Sequence, residues 1–193
     1  MSEASQKRYL ACISEQFPTV QSLYTEIINL KAILNLPKGT EHFISDLHGE
    51  YGAVRHILNN CSGVILEKVR RLFEDAQGEA KCRALCSVIY YPIEELACLR
   101  ERGELDNARL REILEQLCLL AETLSGKYTR GYVRHQMPAG WEFVLDELLH
   151  IQRDEDANQH RYHDAILDSV IATGSADSVI AALSELIKRL AVD

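Results

Sequence analysis

The 193-residue sequence has no uninterrupted apolar run of the roughly 18–20 residues that a membrane-spanning helix needs, so no spanning segment is expected. Its first twenty residues carry Glu3, Lys7, Arg8 and Glu15 and lack an apolar h-region, which argues against a secretory signal. Four prolines and ten glycines are too few for long flexible linkers. Positive charge is also scarce. Lys and Arg number 21 against 29 Asp and Glu, a formal net charge of −8 that works against binding a polyphosphate backbone. Nucleic acid and membrane are therefore not expected partners, and a cytoplasmic protein is expected. The six cysteines include no Cys-x-x-Cys pair, and Cys82 and Cys86 are spaced i,i+4 within a helical pattern. Cys12, Cys82, Cys86, Cys98 and Cys118 fall on apolar helix positions, where a free thiol packs as a small hydrophobe. Reduced, buried thiols are expected, with a metal site as the alternative.

Hydrophobic residues make up 47% of the chain and charged residues 26%, the usage of a globular domain. Apolar spacing at three and four residues dominates. Leu10, Ile13 and Phe17 mark a helix that Pro18 interrupts, and Val20, Leu23, Ile27, Leu30 and Leu34 mark the next. Leu36–Pro37–Lys38–Gly39–Thr40 breaks the period. Glu41–His42–Phe43–Ile44–Ser45–Asp46 then reads as the best strand candidate in the chain. Beyond Gly49 the helical period returns, closed successively at Ser62–Gly63, Gly78, Pro92, Gly103 and Ser125–Gly126, with Asp106 as an expected N-cap. Residues 127–138 break the rhythm, Trp141 to Leu148 resumes it, residues 153–159 read as a loop, and two further helices meet at Gly174–Ser175. The expectation is a mostly α-helical chain with one or two short strands.

The residues that point to chemistry are Asp46–Leu47–His48–Gly49, between the strand candidate and a helix. A carboxylate and an imidazole two apart at a strand's end can both turn towards one ion. Oxygen with a borderline nitrogen suits manganese, iron or zinc better than magnesium. The bland reading of the same residues is an N-cap aspartate beside a surface histidine. His160-Arg161-Tyr162-His163-Asp164 offers two His at i and i+3, read as a solvated helix start rather than a metal pair. Lys127, Arg130, Arg134 and His135 form the one basic cluster, read either as partners for a bisphosphate or anionic effector or simply as a solvated loop. His42 and His56 read as packing near the motif, with a substrate role for either as the alternative. Tyr90, Tyr91 and Trp141 read as packing residues.

The string Leu36-Pro37-Lys38-Gly39-Thr40-Glu41-His42-Phe43-Ile44-Ser45-Asp46-Leu47-His48-Gly49-Glu50-Tyr51 resembles the opening motif of the class 3 fructose-1,6-bisphosphatases, within the calcineurin-like metallophosphoesterases. The resemblance extends to Glu26-Ile27-Ile28-Asn29-Leu30, His56-Ile57-Leu58, Ser62-Gly63, Tyr90-Tyr91-Pro92 and Lys127-Tyr128-Thr129-Arg130. It implies an α/β parent fold, the metallophosphoesterase αββα sandwich. Residues 1–50 would supply amino-terminal helices, the first strand and the first metal motif, and residues 51–193 a helical segment before the second motif. Asp46 and His48 would be ligands of a two-metal, manganese-type site that activates water for attack on phosphorus. Lys127, Arg130 and Arg134 would bind a phosphorylated sugar, and the reaction would be hydrolysis of the 1-phosphate of fructose 1,6-bisphosphate in gluconeogenesis. The family's later strings, Gly-Asp-x-x-Asp-Arg-Gly and Gly-Asn-His-Glu, are not in this sequence. The expectation is thus an amino-terminal part, inactive without a carboxyl-terminal portion and able to form an oligomer. Another calcineurin-like phosphoesterase and a non-catalytic helical interaction module are the alternatives. Thiol titration under denaturing, non-reducing conditions should find six free cysteines, and a smaller number would contradict the reduced-thiol reading.

Overall fold

Breakers and caps divide the chain where its helices end. The computed structural model describes residues 3–37, 41, 43–150 and 157–192, and these form ten α-helices and no β-strand. The chain separates into two units, Met1–Lys38 and Gly39–Asp193.

The first unit holds α1 (Glu3–Gln16) and α2 (Val20–Ile33). The gap between them contains Pro18, and Thr19 starts α2 with a capping box. Its hydroxyl accepts from the Ser22 backbone N–H at 3.0 Å, and the Ser22 hydroxyl accepts from the Thr19 N–H at 3.2 Å. Cys12 is exposed on α1 rather than buried. A pair of amphipathic helices cannot enclose every position of its own apolar stripe.

The second unit contains α3 (Tyr51–Asn60), α4 (Val64–Tyr90), α5 (Pro92–Glu101), α6 (Asn107–Ser125), α7 (Arg130–Gln136), α8 (Glu142–His150), α9 (Ala157–Ala172) and α10 (Ala176–Ala191). A single 3₁₀ turn, Cys61–Gly63, joins α3 to α4. Pro92 sits in the first turn of α5, where its missing N–H leaves no bond unmade. Asp106 caps α6 by accepting from the Arg109 N–H at 2.7 Å.

The core is built around α6 and α10. From α6 come Ile113, Leu114, Leu117, Cys118, Leu120, Ala121 and Leu124, all buried. From α10 come Val179, Ile180, Leu183, Leu186, Ile187 and Leu190, none with measurable exposure. Each such side chain contributes roughly 1.5–3 kcal/mol on leaving water. Helix α10 also packs against α4, α5, α7 and α9. No single helix among the described residues is long and apolar enough to cross a membrane. The α9–α10 pair passes by composition but is bent by 119°.

Three expectations need correction. Residues 43–46 carry no strand, because an isolated run finds no neighbouring backbone to bond and none of the described residues supplies one. His42 lies outside the described residues. Residues 127–138 include a helix, α7, whose two turns bury only Val133 and so show too little periodicity to be read. His163 is buried at 6% exposure, not solvated, because it faces inward from the second turn of α9.

Gly78 interrupts α4 with φ 79° and ψ 164°, a region that only glycine occupies readily. A Cβ there would touch nothing within 4 Å, so the whole effect of a substitution lies in the backbone. Gly78→Ala should therefore cost about 1–3 kcal/mol in urea unfolding. Stability within a few tenths of wild type would show that the break tolerates an L side chain.

Candidate functional site

The stretch from Leu47 to Glu50 closes a tight turn. The Glu50 N–H donates to the Leu47 carbonyl at 3.0 Å, and the Tyr51 N–H to the Gly49 carbonyl at 2.9 Å. Both central residues have positive φ, 48° at His48 and 72° at Gly49, the pattern of a type I′ turn. Glycine adopts this freely. Histidine is among the few other residues enriched in the left-handed region, and such held backbone gathers at functional sites. Asp46 and His48 are both exposed, which leaves carboxylate and imidazole open to a ligand. Among the described residues, however, no group of three or more His, Cys, Asp or Glu side chains could hold a metal ion. Two donors suit part of a coordination sphere and do not fit a complete centre.

The loop before the motif walls a cavity of about 620 Å³, in which Phe43, Ile44 and Ser45 face Ile57, Asn60, Ser62 and Gly63. Asn60 and Gly63 also line a second cavity of about 360 Å³, with His56, Leu66, Arg83, Cys86, Ser87, Tyr90 and Tyr91. There His56 Nδ1 lies 2.8 Å from the Tyr91 hydroxyl, and the two rings stack with centroids 6.1 Å apart and 11° between planes. Tyr90 meets the same imidazole edge-on. Cys61 and Ser62 take positive φ, and the Asn60 side chain accepts from the Gly63 N–H at 3.3 Å. Three stretches that carried the resemblance, 56–58, 62–63 and 90–92, thus each place residues at these adjoining cavities.

Burial pushes the Cys61 and Cys86 thiols up to about 11 and raises the Tyr90 hydroxyl as well. These thiols stay protonated near neutrality and are poor nucleophiles. The Lys188 ammonium, its pKa lowered by burial, donates to the Tyr90 carbonyl at 3.1 Å. Arg83 shares Glu79 with Arg70 across the Gly78 break. Arg83 Nε donates at 2.6 Å and Arg70 Nε at 2.7 Å, with a further Arg70 Nη2 bond. The bond from Arg70 is the main reason the Glu79 carboxyl falls to about 2.

The basic cluster is arranged differently from its sequence reading. Arg130 and Arg134 stand one turn apart on α7, 3.6 and 3.4 Å from Asp146 Oδ2 on α8. His150 Nδ1 lies 3.0 Å from the other carboxylate oxygen. The Asp146 side chain is 12% exposed, against 62% and 63% for the arginines. A buried carboxylate therefore offsets part of the charge expected to meet a phosphate, while both guanidinium groups remain open to solvent. Lys127 is half-buried, and none of the three cavities described is lined by Lys127, Arg130 or Arg134. His160 and His163 line the third cavity, of about 400 Å³, with Phe73, Glu112, Glu115, Gln116, Leu119 and Asp164. Sequence reasoning passed over Asp146, Asn60 and the His56–Tyr91 bond. Only the i,i+4 spacing of Asp146 and His150 could have drawn attention to one of them.

A family model described as Firmicute fructose-1,6-bisphosphatase matches residues 8–193. A protein named fructose-1,6-bisphosphatase class 3 from Bacteroides thetaiotaomicron is 44% identical over 187 residues, 96% of this chain. Proteins of the same name from Porphyromonas gingivalis and Listeria monocytogenes are 44% and 43% identical over 185 and 186 residues. The chain spans 28% of the length of each of these relatives. No solved structure matches the chain at a significant level.

Glu79, lowered from 4.5 to about 2, adds stability that is complete above its unfolded value and disappears as pH falls through the folded one. The difference in melting temperature between wild type and Glu79→Gln should be full at pH 6 and shrink steadily between about 4.5 and about 2. A difference that ignores pH would show that the Arg70–Glu79–Arg83 cluster adds no charge-dependent stability.

Proposed function

Because the chain belongs to the Firmicute fructose-1,6-bisphosphatase family, we propose that it is the amino-terminal portion of a class 3 enzyme that hydrolyses the 1-phosphate of fructose 1,6-bisphosphate. Water supplies the oxygen that joins phosphorus, the bond from phosphorus to the sugar oxygen breaks, and fructose 6-phosphate and phosphate leave. The reading carries a gluconeogenic role and a metallophosphoesterase core with it. The observation that carries it is the match over residues 8–193, which includes the Asp46–His48 motif.

In this reading Asp46 and His48 are two ligands of a two-metal, manganese-type site. An exposed carboxylate just before the Leu47–Glu50 turn and an exposed imidazole within it support that role. The metal would supply polarisation of the phosphoryl group and a lowered pKa of bound water. The other ligands belong to the part of the family's length outside this chain. Phe43, Ile44, Leu47 and Tyr51 are exposed around the motif, and apolar area of this kind supports a covering polypeptide. Lys127, Arg130 and Arg134 remain candidates for a phosphate group through their exposed guanidinium faces, with Asp146 as the fixed counter-charge.

The test joins this chain to the remaining length of the Bacteroides thetaiotaomicron relative and follows manganese-dependent phosphate release from fructose 1,6-bisphosphate. The fusion should be active and the 193-residue chain alone silent. Asp46→Asn and His48→Ala should each lower turnover by more than the 10–100-fold typical of residues that only support a ligand, with melting temperature little changed. Turnover within about threefold of the unmodified fusion would remove both residues from the site, since an N-cap role affects stability by ~1 kcal/mol and not rate.

A further inference from the structure

We propose that the 360 Å³ cavity between α3 and the second half of α4 binds a phosphorylated sugar, with Arg83, His56 and Asn60 on the phosphate and Tyr90 and Tyr91 against the sugar. The inference deepens the reading above and rests on it for the class of ligand. It assigns a binding role to residues outside the Asp46–His48 motif.

Charge is the first support. The chain as a whole is acidic, and Glu79 and Glu74 both act on Arg70, so the positive charge presented at the cavity is that of Arg83, which bonds Glu79 and lines the cavity. The Lys188 ammonium, 3.1 Å from the Tyr90 carbonyl, adds another behind the cavity wall. A guanidinium presents a planar fork of donors, and the bond from Arg83 to Glu79 uses Nε, leaving the two Nη atoms for another acceptor.

Hydrogen-bond polarity is the second. The Asn60 side-chain oxygen is taken by the Gly63 N–H, so the amide end left to act is its donor. His56 Nδ1 lies 2.8 Å from the Tyr91 hydroxyl, and in the tautomer that accepts from this hydroxyl the other ring nitrogen, Nε2, is a donor too. Three side chains that line one cavity therefore offer donors, the requirement for an anion. Size and shape are the third. The volume lies within the usual range for small-molecule sites, and tyrosine rings with Leu66 form the apolar wall on which the faces of a sugar rest. Asn60 and Gly63 belong to both this cavity and the one walled by Phe43–Ser45, so a ligand held here lies beside the loop that ends in Asp46.

The experiment uses the 193-residue chain without added metal. Fructose 6-phosphate, fructose 1,6-bisphosphate, fructose and inorganic phosphate are titrated while amide resonances are followed by two-dimensional NMR. Both phosphorylated sugars should shift Asn60, Arg83 and Tyr91, and fructose should shift none of them. Arg83→Gln should weaken binding about tenfold or more, the loss of one charge-assisted bond. Asn60→Asp, which keeps size and adds repulsion, should do the same with an unchanged circular-dichroism spectrum. Shifts confined to other residues, wild-type affinity in both variants, or equal affinity for inorganic phosphate and fructose 6-phosphate would overturn the assignment. Hydrolysis by the fusion described above is independent of this outcome. An active fusion with a silent cavity removes only the cavity, and an inactive fusion with a responsive cavity removes only the activity.

Discussion

The packing of α10 on α6 is the contact on which the second unit depends. Ten residues of α10 are buried, and the same helix reaches α4, α5, α7 and α9. Removing it would expose apolar surface on every one of those partners at once. Three polar contacts add to this. Cys61 Sγ lies 3.6 Å from the Lys188 carbonyl, the Tyr128 hydroxyl donates to the Leu190 carbonyl at 3.1 Å, and Lys188 reaches the Tyr90 carbonyl. One helix near the chain's end thus fixes the turn after α3, the α4–α5 junction and the approach to α7. Close-packed interiors transmit such constraints because they deform little.

That anchoring explains why the cavities form where they do. Asn60 and Gly63 sit on the left-handed turn that Cys61 pins to α10, and Tyr90 and Tyr91 sit at the junction that Lys188 holds. Helix α3 buries no residue of its own, and it meets other elements through the His56–Tyr91 contact and through the turn at Cys61. His56 is therefore placed by a contact with another element, and Asn60 by its local bond from the Gly63 N–H. The Asp46–His48 turn is different. Its geometry comes from two local hydrogen bonds and two positive φ values, and its surroundings are open.

Electrostatics in this acidic chain work by sharing. Glu79 serves two arginines, Asp146 faces two arginines and a histidine, and Arg111 joins Glu115, Asp164 and Asp168. A single exposed ion pair is worth about 0–1 kcal/mol, so these groupings matter more for where charge is left over than for stability. Around Arg70 and Arg83 two carboxylates, Glu79 and Glu74, face the positive charge. Around Arg130 and Arg134 a buried carboxylate takes part of it up.

The sequence by itself determined the helical character, most of the helix ends and the motif. Pro18, Gly78, Pro92, Asp106 and Gly126 act through backbone geometry or local hydrogen bonds that any chain context preserves. Asp46 and His48 could be singled out as candidates for a related reason, since a carboxylate and an imidazole two residues apart are a local pattern. The strand expected at 41–46 was not settled locally, because a strand exists only through a partner's hydrogen bonds. The inward turn of His163, the meeting of Asp146 with Arg130 and Arg134, and the bond between His56 and Tyr91 were decided by the tertiary structure alone. Each joins residues on different elements or buries one beneath another, and no spacing along the chain encodes which helix faces will meet.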